Sequence, residues 1–440
     1  MTEERKIVGT TFSAELVLLL LRLVLEAAIS MRAATRTIEI TGQVYRGQLL
    51  EAPSHNTVGN LIQRVGLYEI MRAKEIADDW IWFIDHTIQA GVTKCLLVLG
   101  IRASEYRKLN RPLRCDDMSV LELLPVSKST ISIVASQMDD LIGRIGVPLA
   151  VVSDEGSDLV GGVKDLQKRH PGIVHCHDIV HKVSRIIDRI LKNDSMWASY
   201  RTKCCHSGNS IRQTGLAHLT PPKPKTKARH MNLDPEIDWG VRVLGLLDRG
   251  HTDSTLSASE WNQLQEKLGW LSDYRERLTA WGELMQISKS LCEIVRREGY
   301  HTNVSARVKQ ALPAARTVEG ETLIHRSLAF LDQMQSRQSE DGPLPSSSEV
   351  IESVFGRGKR LEGQQSRSGF TTQLLAMAAC VVKPTKQFII DALKTCRTKH
   401  IAQWREDYLG RSLQSRRSQD LAHGNRTSTC GDHAGPNPKF

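Results

Sequence analysis

Three carboxylates stand in contexts where they could do chemistry together: Asp85 late in the strand-like run WIWFIDHTI, Asp154 closing LAVVSDEGSD, and Glu352 inside the helical segment SSSEVIESVFGRGK. Acids on two neighbouring strands, with a third on a late helix, are what a two-metal phosphodiester site requires. Mg2+ or Mn2+ takes hard oxygen ligands and keeps several coordination places for water and phosphate, so a few carboxylates suffice. Two such ions about 3.5–4 Å apart activate the attacking oxygen, stabilise the leaving one and hold both in line. Each acid also has a structural role open to it. Asp85 could cap a turn at HTIQAG, and Asp154 could cap the helix after EGSD, a position for which Asp158 competes.

Composition narrows the partners. The chain has 440 residues and a formal net charge of +10, long enough for two or three domains and basic enough to attract a polyanion. Between Lys182 and Arg229, eleven Lys or Arg stand against two acids, Asp188 and Asp194; a nucleic-acid surface or a merely solvated one would read alike. The nine cysteines have irregular spacing and no CxxC pair, and the N-terminus does not resemble a signal peptide, which predicts a reducing, cytoplasmic compartment. In AELVLLLLRLVLEAAI, Glu15, Arg22 and Glu26 interrupt the apolar run well short of the ~20 residues a membrane span needs, so it predicts a buried helix. His175, Cys176, His177 and His181, and later Cys204, Cys205 and His206, lack zinc-ligand spacing, and adjacent strand residues point to opposite faces.

The elements that must position the acids follow from periodicity. Residues 1–72 read as a helical region, with helices over 12–30 and 31–40 and a third after Pro53 and Ser54 whose apolar stripe is Val58, Leu61, Ile62, Val65 and Leu67. Its polar face carries His55, Asn56, Asn60, Gln63 and Arg64, the format of a helix-turn-helix reader entering the major groove; a helical cap on the next domain is the alternative. Residues 73–190 then show β-rich runs at 80–88, 93–101 and 118–126, a helix over 128–143, a strand at 147–153, a helix over 159–169, a strand at 172–177 and a helix from Ile179. Three strands in a meander, then helix, strand, helix, strand, give a mixed five-stranded α/β sheet in the ribonuclease H-like order. That order sets Asp85 and Asp154 side by side at the sheet centre. Asp178 and His181 sit near the fifth strand, where a cap or helix-face role is favoured over metal or DNA contact.

Residues 191–340 read as a helical insertion opened by the basic, Pro-rich LTPPKPKTKARHMN. Lys223, Lys225, Lys227 and Arg229 are its candidate DNA contacts, and Trp239, Trp261, Trp270 and Trp281 read as helical core in preference to base-stacking platforms. Residues 341–410 complete the core with the glutamate helix, and 411–440 lack the large apolar residues that would hold a fold, which predicts a disordered tail. At ~100° per residue, Val350, Ile351, Val354 and Phe355 form the packed face of that helix and Glu349 points to solvent, where with Ser346 it could form a capping box. Glu352 lies nearer the packed edge. Lys359 falls close to the same line and could hold a DNA phosphate, provided Gly356 and Gly358 do not end the helix first.

With FIDHTI, VVSDEGSDL, IVHCHDIVHK and SSEVIESVFGRGKR in that order and a long helical insert before the glutamate, the chain resembles bacterial insertion-sequence transposases of the DDE class, in the retroviral-integrase superfamily, over roughly residues 10–400. The resemblance implies strand cleavage at element ends and transfer into a target DNA, with Mg2+ or Mn2+, by a homo-oligomer assembled on DNA near the nucleoid. It implies that Asp85, Asp154 and Glu352 hold the metal. One departure is visible: no Tyr or Arg stands shortly before Glu352, as it does in the best-known form of the motif. A nuclease that cuts without joining, a catalytically inactive DNA-binding protein and a phosphatase-like hydrolase are the rival classes. Intact acids disfavour the second, and the third leaves the N-terminal helices and basic insert without a purpose.

Overall fold

A computed structural model of the chain describes residues 11–46, 52–90, 93–126, 128–223, 233–337, 342–363 and 370–410. Three helices come first, α1 (Ala14–Leu25), α2 (Met31–Arg46) and α3 (His55–Met71). Ser13 and Ser54 start the first and third by accepting hydrogen bonds from the amides of Leu16 and Thr57, which satisfies donors that a helix end leaves open. Val17, Leu20, Leu21 and Val24 are wholly buried. No helix among the described residues is long and apolar enough to cross a membrane.

The sheet and its crossovers follow: β1 (Trp80–Ala90), β2 (Thr93–Arg102), the one-turn α4 (Ala103–Tyr106), β3 (Ser119–Val126), α5 (Ile131–Ile145), β4 (Ala150–Ser153), α6 (Ser157–Arg169), β5 (Val174–His177) and α7 (Ile179–Lys192). The strands lie in the order β3-β2-β1-β4-β5. β1, β2 and β3 form an antiparallel meander, whereas β4 runs parallel to β1 and β5 parallel to β4. This is a ribonuclease H-like α/β fold, as the order of elements predicts. α5 starts three residues later than its apolar pattern because Thr130 caps it, accepting from the Ile133 amide.

β1 is central and covered on both sides, which explains its nearly unbroken apolar run. Trp80, Trp82 and Ile84 join Leu96, Val98, Val134, Met138 and Val163 on one face. Ile81 and Phe83 join Leu97, Leu99, Val152 and Val183 on the other. By alternation, Asp85 belongs to the second face.

The insertion continues that second core. It comprises α8 (Ser195–Ile211), α9 (Leu233–Arg249), α10 (Ala258–Leu268), α11 (Arg275–Glu298), α12 (Val304–Ala311) and α13 (Val318–Gln335). Trp197, Tyr200, Trp239, Trp261, Tyr274 and Trp281 are buried in one cluster with the sheet residues. Their polar atoms are spoken for inside the protein: the indoles of Trp239, Trp270 and Trp281 donate to the Leu219 carbonyl, the Ser207 hydroxyl and the Asp194 carboxylate. The tryptophans are core. The chain then returns along a two-hydrogen-bond bridge between Tyr300 and Leu344 to α14 (Glu349–Gly363), α15 (Phe370–Ala379), α16 (Lys386–Thr395) and α17 (Thr398–Leu409).

The N-terminal helices share a core with this last group, since Val17, Leu21, Val58, Leu61 and Ile62 cluster with Leu361, Ala376, Ile389 and Leu393. One expectation is corrected here. Arg64, read as a DNA contact on the polar face of α3, is buried at 6 % exposure, and its guanidinium donates to the carbonyls of Leu393 and Cys396, each at 2.6 Å. It caps the C-terminus of α16, whose last carbonyls would otherwise lack donors. Asn56 and Asn60 remain exposed, with His55 and Gln63 half-buried beside them.

α3 and α15 approach so closely that a Cβ on Gly66 would lie 1.9 Å from the Leu375 carbonyl oxygen, whereas one on Gly143 in α5 meets nothing within 4 Å. Gly66→Ala is therefore expected to destabilise by about 1–3 kcal/mol or more, as overpacking does. Gly143→Ala should be neutral or stabilise by up to ~1 kcal/mol, the helix-propensity difference. Urea unfolding of both variants checks this; equal effects would mean that the helices do not meet at Gly66.

Candidate active site

The parallel pairing of β1 and β4 places Ile84 opposite Ser153. Asp85 and Asp154 are the next residue on each strand, so two carboxylates leave the same end of the sheet side by side. Asp85 is not a turn cap: β1 continues past it to Ala90, and its Oδ1 accepts the neighbouring His86 amide, at 2.7 Å. Nor does Asp154 cap α6. Its Oδ1 accepts the Gly156 amide at 2.8 Å, a local turn that fixes the carboxylate, and Gly156 itself occupies the cap position with no side-chain bond. Asp158 does not stand at the N-cap either: its Oδ1 accepts the first-turn Leu159 amide at 3.1 Å, and its Oδ2 accepts from the Ser129 hydroxyl at 2.7 Å and lies beside His86. Between them, Glu155 is paired with Lys182 at 3.1 Å and Arg185 at 2.9 Å, which ties the loop to α7.

The third acid arrives on α14. Glu352 is exposed, and its Oε1 lies 3.2 Å from Nε2 of His181 on α7. Both other carboxylates are felt at Asp85. Burial first, then the Asp154 and Glu352 carboxylates, push the Asp85 carboxyl up from an ordinary 3.8 to about 7, against partial relief from the His86 amide and the His181 ring. Like charges brought together out of water hold a proton until a cation replaces it.

One residue sets both helices that supply this site. Asp178 is 1 % exposed; its Oδ1 accepts the His181 amide at 2.9 Å and so caps α7. Its Oδ2 accepts the Ser348 amide at 2.6 Å and hydroxyl at 2.8 Å, together with the Ser347 hydroxyl at 3.2 Å. The carboxylate thus fastens the entry to α14 onto the start of α7. The capping role of Asp178 was legible; its second set of partners, from far along the chain, was not.

The capping box expected between Ser346 and Glu349 does not form. Ser346 is buried and donates its hydroxyl to the Val295 carbonyl at 2.9 Å. Glu349 is half-buried, not solvent-facing, and is ion-paired with Arg296 on α11. Packing against α11 offers each group a better partner than the other. α14 does continue through both glycines, and a Cβ on Gly358 would collide with the Met377 side chain of α15: Gly358 is a contact point, and Lys359 follows it exposed on the helix. Lys223 is exposed too; Lys225, Lys227, Arg229 and the tail 411–440 lie outside the described residues.

Whether these acids suit a metal is a question of donor chemistry. Among the described residues, no three His, Cys, Asp or Glu side chains form a ready metal cage, and Cys176 is sequestered in the core, which leaves the zinc spacing unrealised. An open set of carboxylates, one of them with its proton affinity raised by burial and then by the others, nevertheless matches Mg2+ or Mn2+, which take a few acidic oxygens and keep the rest of their shell for water and phosphate.

No protein-family model matches the chain, and no curated protein matches it by sequence. Among solved structures, its fold is similar to that of the Drosophila P element transposase strand transfer complex, with a TM-score of 0.41 and 11 % identity over 86 % of this chain and 94 % of that one.

Two predictions follow from the geometry. Because the Asp85 carboxyl binds its proton more tightly in the folded state than its unfolded value of 3.8 allows, the apo protein loses stability as pH rises from about 4 through about 7. Asp85→Asn should therefore stabilise the metal-free protein at pH 8, on the order of 2 kcal/mol, and lose that advantage by pH 4; thermal melts at the two pH values would refute the clustering if the difference were constant. Asp178→Ala should cost about 2–4 kcal/mol, since several buried donors lose their acceptor at once. Chemical denaturation against Ser347→Ala, which removes one bond of the set, gives the scale.

Proposed function

We propose that the chain is a DNA strand-transfer enzyme, a transposase of the DDE class that acts as a homo-oligomer at the ends of an insertion sequence. The observation that supports this most directly is the placement of Asp85, Asp154 and Glu352 around one end of a ribonuclease H-like sheet, with a raised Asp85 proton affinity as the electrostatic mark of their approach. Asp85, Asp154 and Glu352 would hold Mg2+ or Mn2+, which when bound supplies activation of the attacking oxygen and charge stabilisation of the leaving one.

The chain's own residues do the positioning. Asp85 and Asp154 are fixed by strand register, and the Gly156 amide keeps the Asp154 carboxylate from rotating away. Glu352 is steadied by His181, which in turn rides on the helix start that Asp178 holds. Lys359, seven residues beyond Glu352 and on the same helix, is available to a backbone phosphate, as is Lys223 at the start of the basic loop. Asn56 and Asn60 on α3 are the exposed polar groups with which the N-terminal helices would touch the element ends. Such phosphate contacts make binding fall steeply with salt.

The deciding test uses a labelled element end, a plasmid target and Mg2+. Asp154→Ala and Glu352→Gln should each reduce cleavage by about 100-fold or more while leaving DNA affinity within about twofold. Glu349→Gln should keep most activity and cost at most ~1 kcal/mol, the worth of its partly exposed ion pair with Arg296. Products cut but never joined would convert the assignment to a nuclease, and undiminished cleavage by Asp154→Ala would end it.

A further inference from the structure

At the β5 edge of the sheet, apart from the three carboxylates, lies a cavity of about 490 Å3 bounded by Lys164, His175, His177, Arg185, Gln333 and Arg337. Its charges do not balance. Glu155 is the acid on its wall, and it is already shared by Lys182 and Arg185. Lys164, on α6, and Arg337, just past α13, have no acidic partner among the described residues, which with Arg185 leaves three lining cations against one carboxylate. On its wall the His175 and His177 rings lie 4.2 Å apart, tilted by 42° to each other. The His177 Nδ1 is buried there with no hydrogen-bond partner, an expensive omission unless a ligand supplies one.

We propose that this cavity is a phosphate site, and that the phosphate it takes belongs to the backbone of the bound DNA strand. Surplus cations, with a guanidinium among them, recognise phosphate oxygens by charge-assisted hydrogen bonds. The space far exceeds the roughly 30 Å3 of one water and admits a phosphodiester with part of its sugar. A link to the carboxylates is built in: the Ser153 hydroxyl donates to the Asp154 carbonyl at 2.8 Å, and the His175 Nε2 lies 2.8 Å from the same hydroxyl. Through the Ser153 hydroxyl the cavity wall is hydrogen-bonded to the loop that carries Asp154. A strand whose reacting phosphate lies at Asp85 and Asp154 would be held a short way along by Lys164 and Arg337. That the phosphate is DNA's rests on the function proposed above; the pocket's preference for phosphate does not.

The experiment is fluorescence anisotropy with a labelled DNA duplex over a salt series, together with calorimetric titration of pyrophosphate, on the full chain. Lys164→Ala/Arg337→Ala is compared with Lys394→Ala/Lys399→Ala, which removes the same charge from exposed positions on the C-terminal helices; thermal melts confirm that both remain folded. The expected result is at least a tenfold loss of DNA affinity for the first pair only, with the log–log salt slope reduced by about one, the signature of one phosphate contact. Pyrophosphate binding lost from the first pair while DNA affinity stays unchanged would keep the phosphate site and overturn its assignment to DNA. Equal losses in the two pairs, or no loss of either ligand in the first, would overturn the site altogether. Cleavage by the Asp154 variant is read separately, so the pocket and the carboxylates fail or stand on different measurements.

Discussion

Everything at the candidate site depends on β4 lying parallel to β1. Parallel neighbours deliver their following residues to the same end of a sheet, so adjacent register becomes adjacency in space with no loop required to reach across. The consequence is electrostatic before it is chemical. Two acids emerge together where the pairing of β1 with β4 ends, and burial leaves Asp85 poorly screened by water. The folded protein therefore carries a local charge problem that its apolar core, not its surface, has created, and the His181 ring only partly relieves it.

The remaining elements can be ranked by how they serve that junction. α5 and α6 cover the far face of the sheet with apolar side chains and leave the site alone. α7 and α14 cover the near face and each bring one polar group to the acids. The insertion extends the near-face core with its aromatic cluster, and its α11 receives Glu349 and Ser346 through Arg296 and Val295. The N-terminal helices brace the far end of α14 through α15 and α16.

What the sequence disclosed, and what it withheld, divides along the range of the interactions. Strands β1 to β5 and their order were legible because a strand buried on both faces must be apolar along its length, and Trp80 to Ile84 are. Asp85 and Asp154 were legible because a carboxylate interrupting such a run has to be accounted for. Arg64 was misread because periodicity tells which way a side chain leaves its own helix and not what awaits it; its acceptors lie 329 and 332 residues later. The Ser346 and Glu349 pair failed for the same reason. Three-residue spacing allowed a local capping box, and α11 supplied competitors that no local pattern encodes.

The latch at Asp178 has an architectural corollary. Its two groups of partners are separated by about 170 residues of chain, yet they meet on a single carboxylate, with the Ile179 amide bonded to the Ser346 carbonyl beside it. The geometry of the glutamate helix is thus set where the chain re-enters the core, by Asp178 together with the α11 contacts to Ser346 and Glu349. The loops that join the helices of the insertion become a free variable: they can be lengthened, trimmed or made to carry a grafted module, so long as α11 keeps its place and residues 346–348 still close on Asp178.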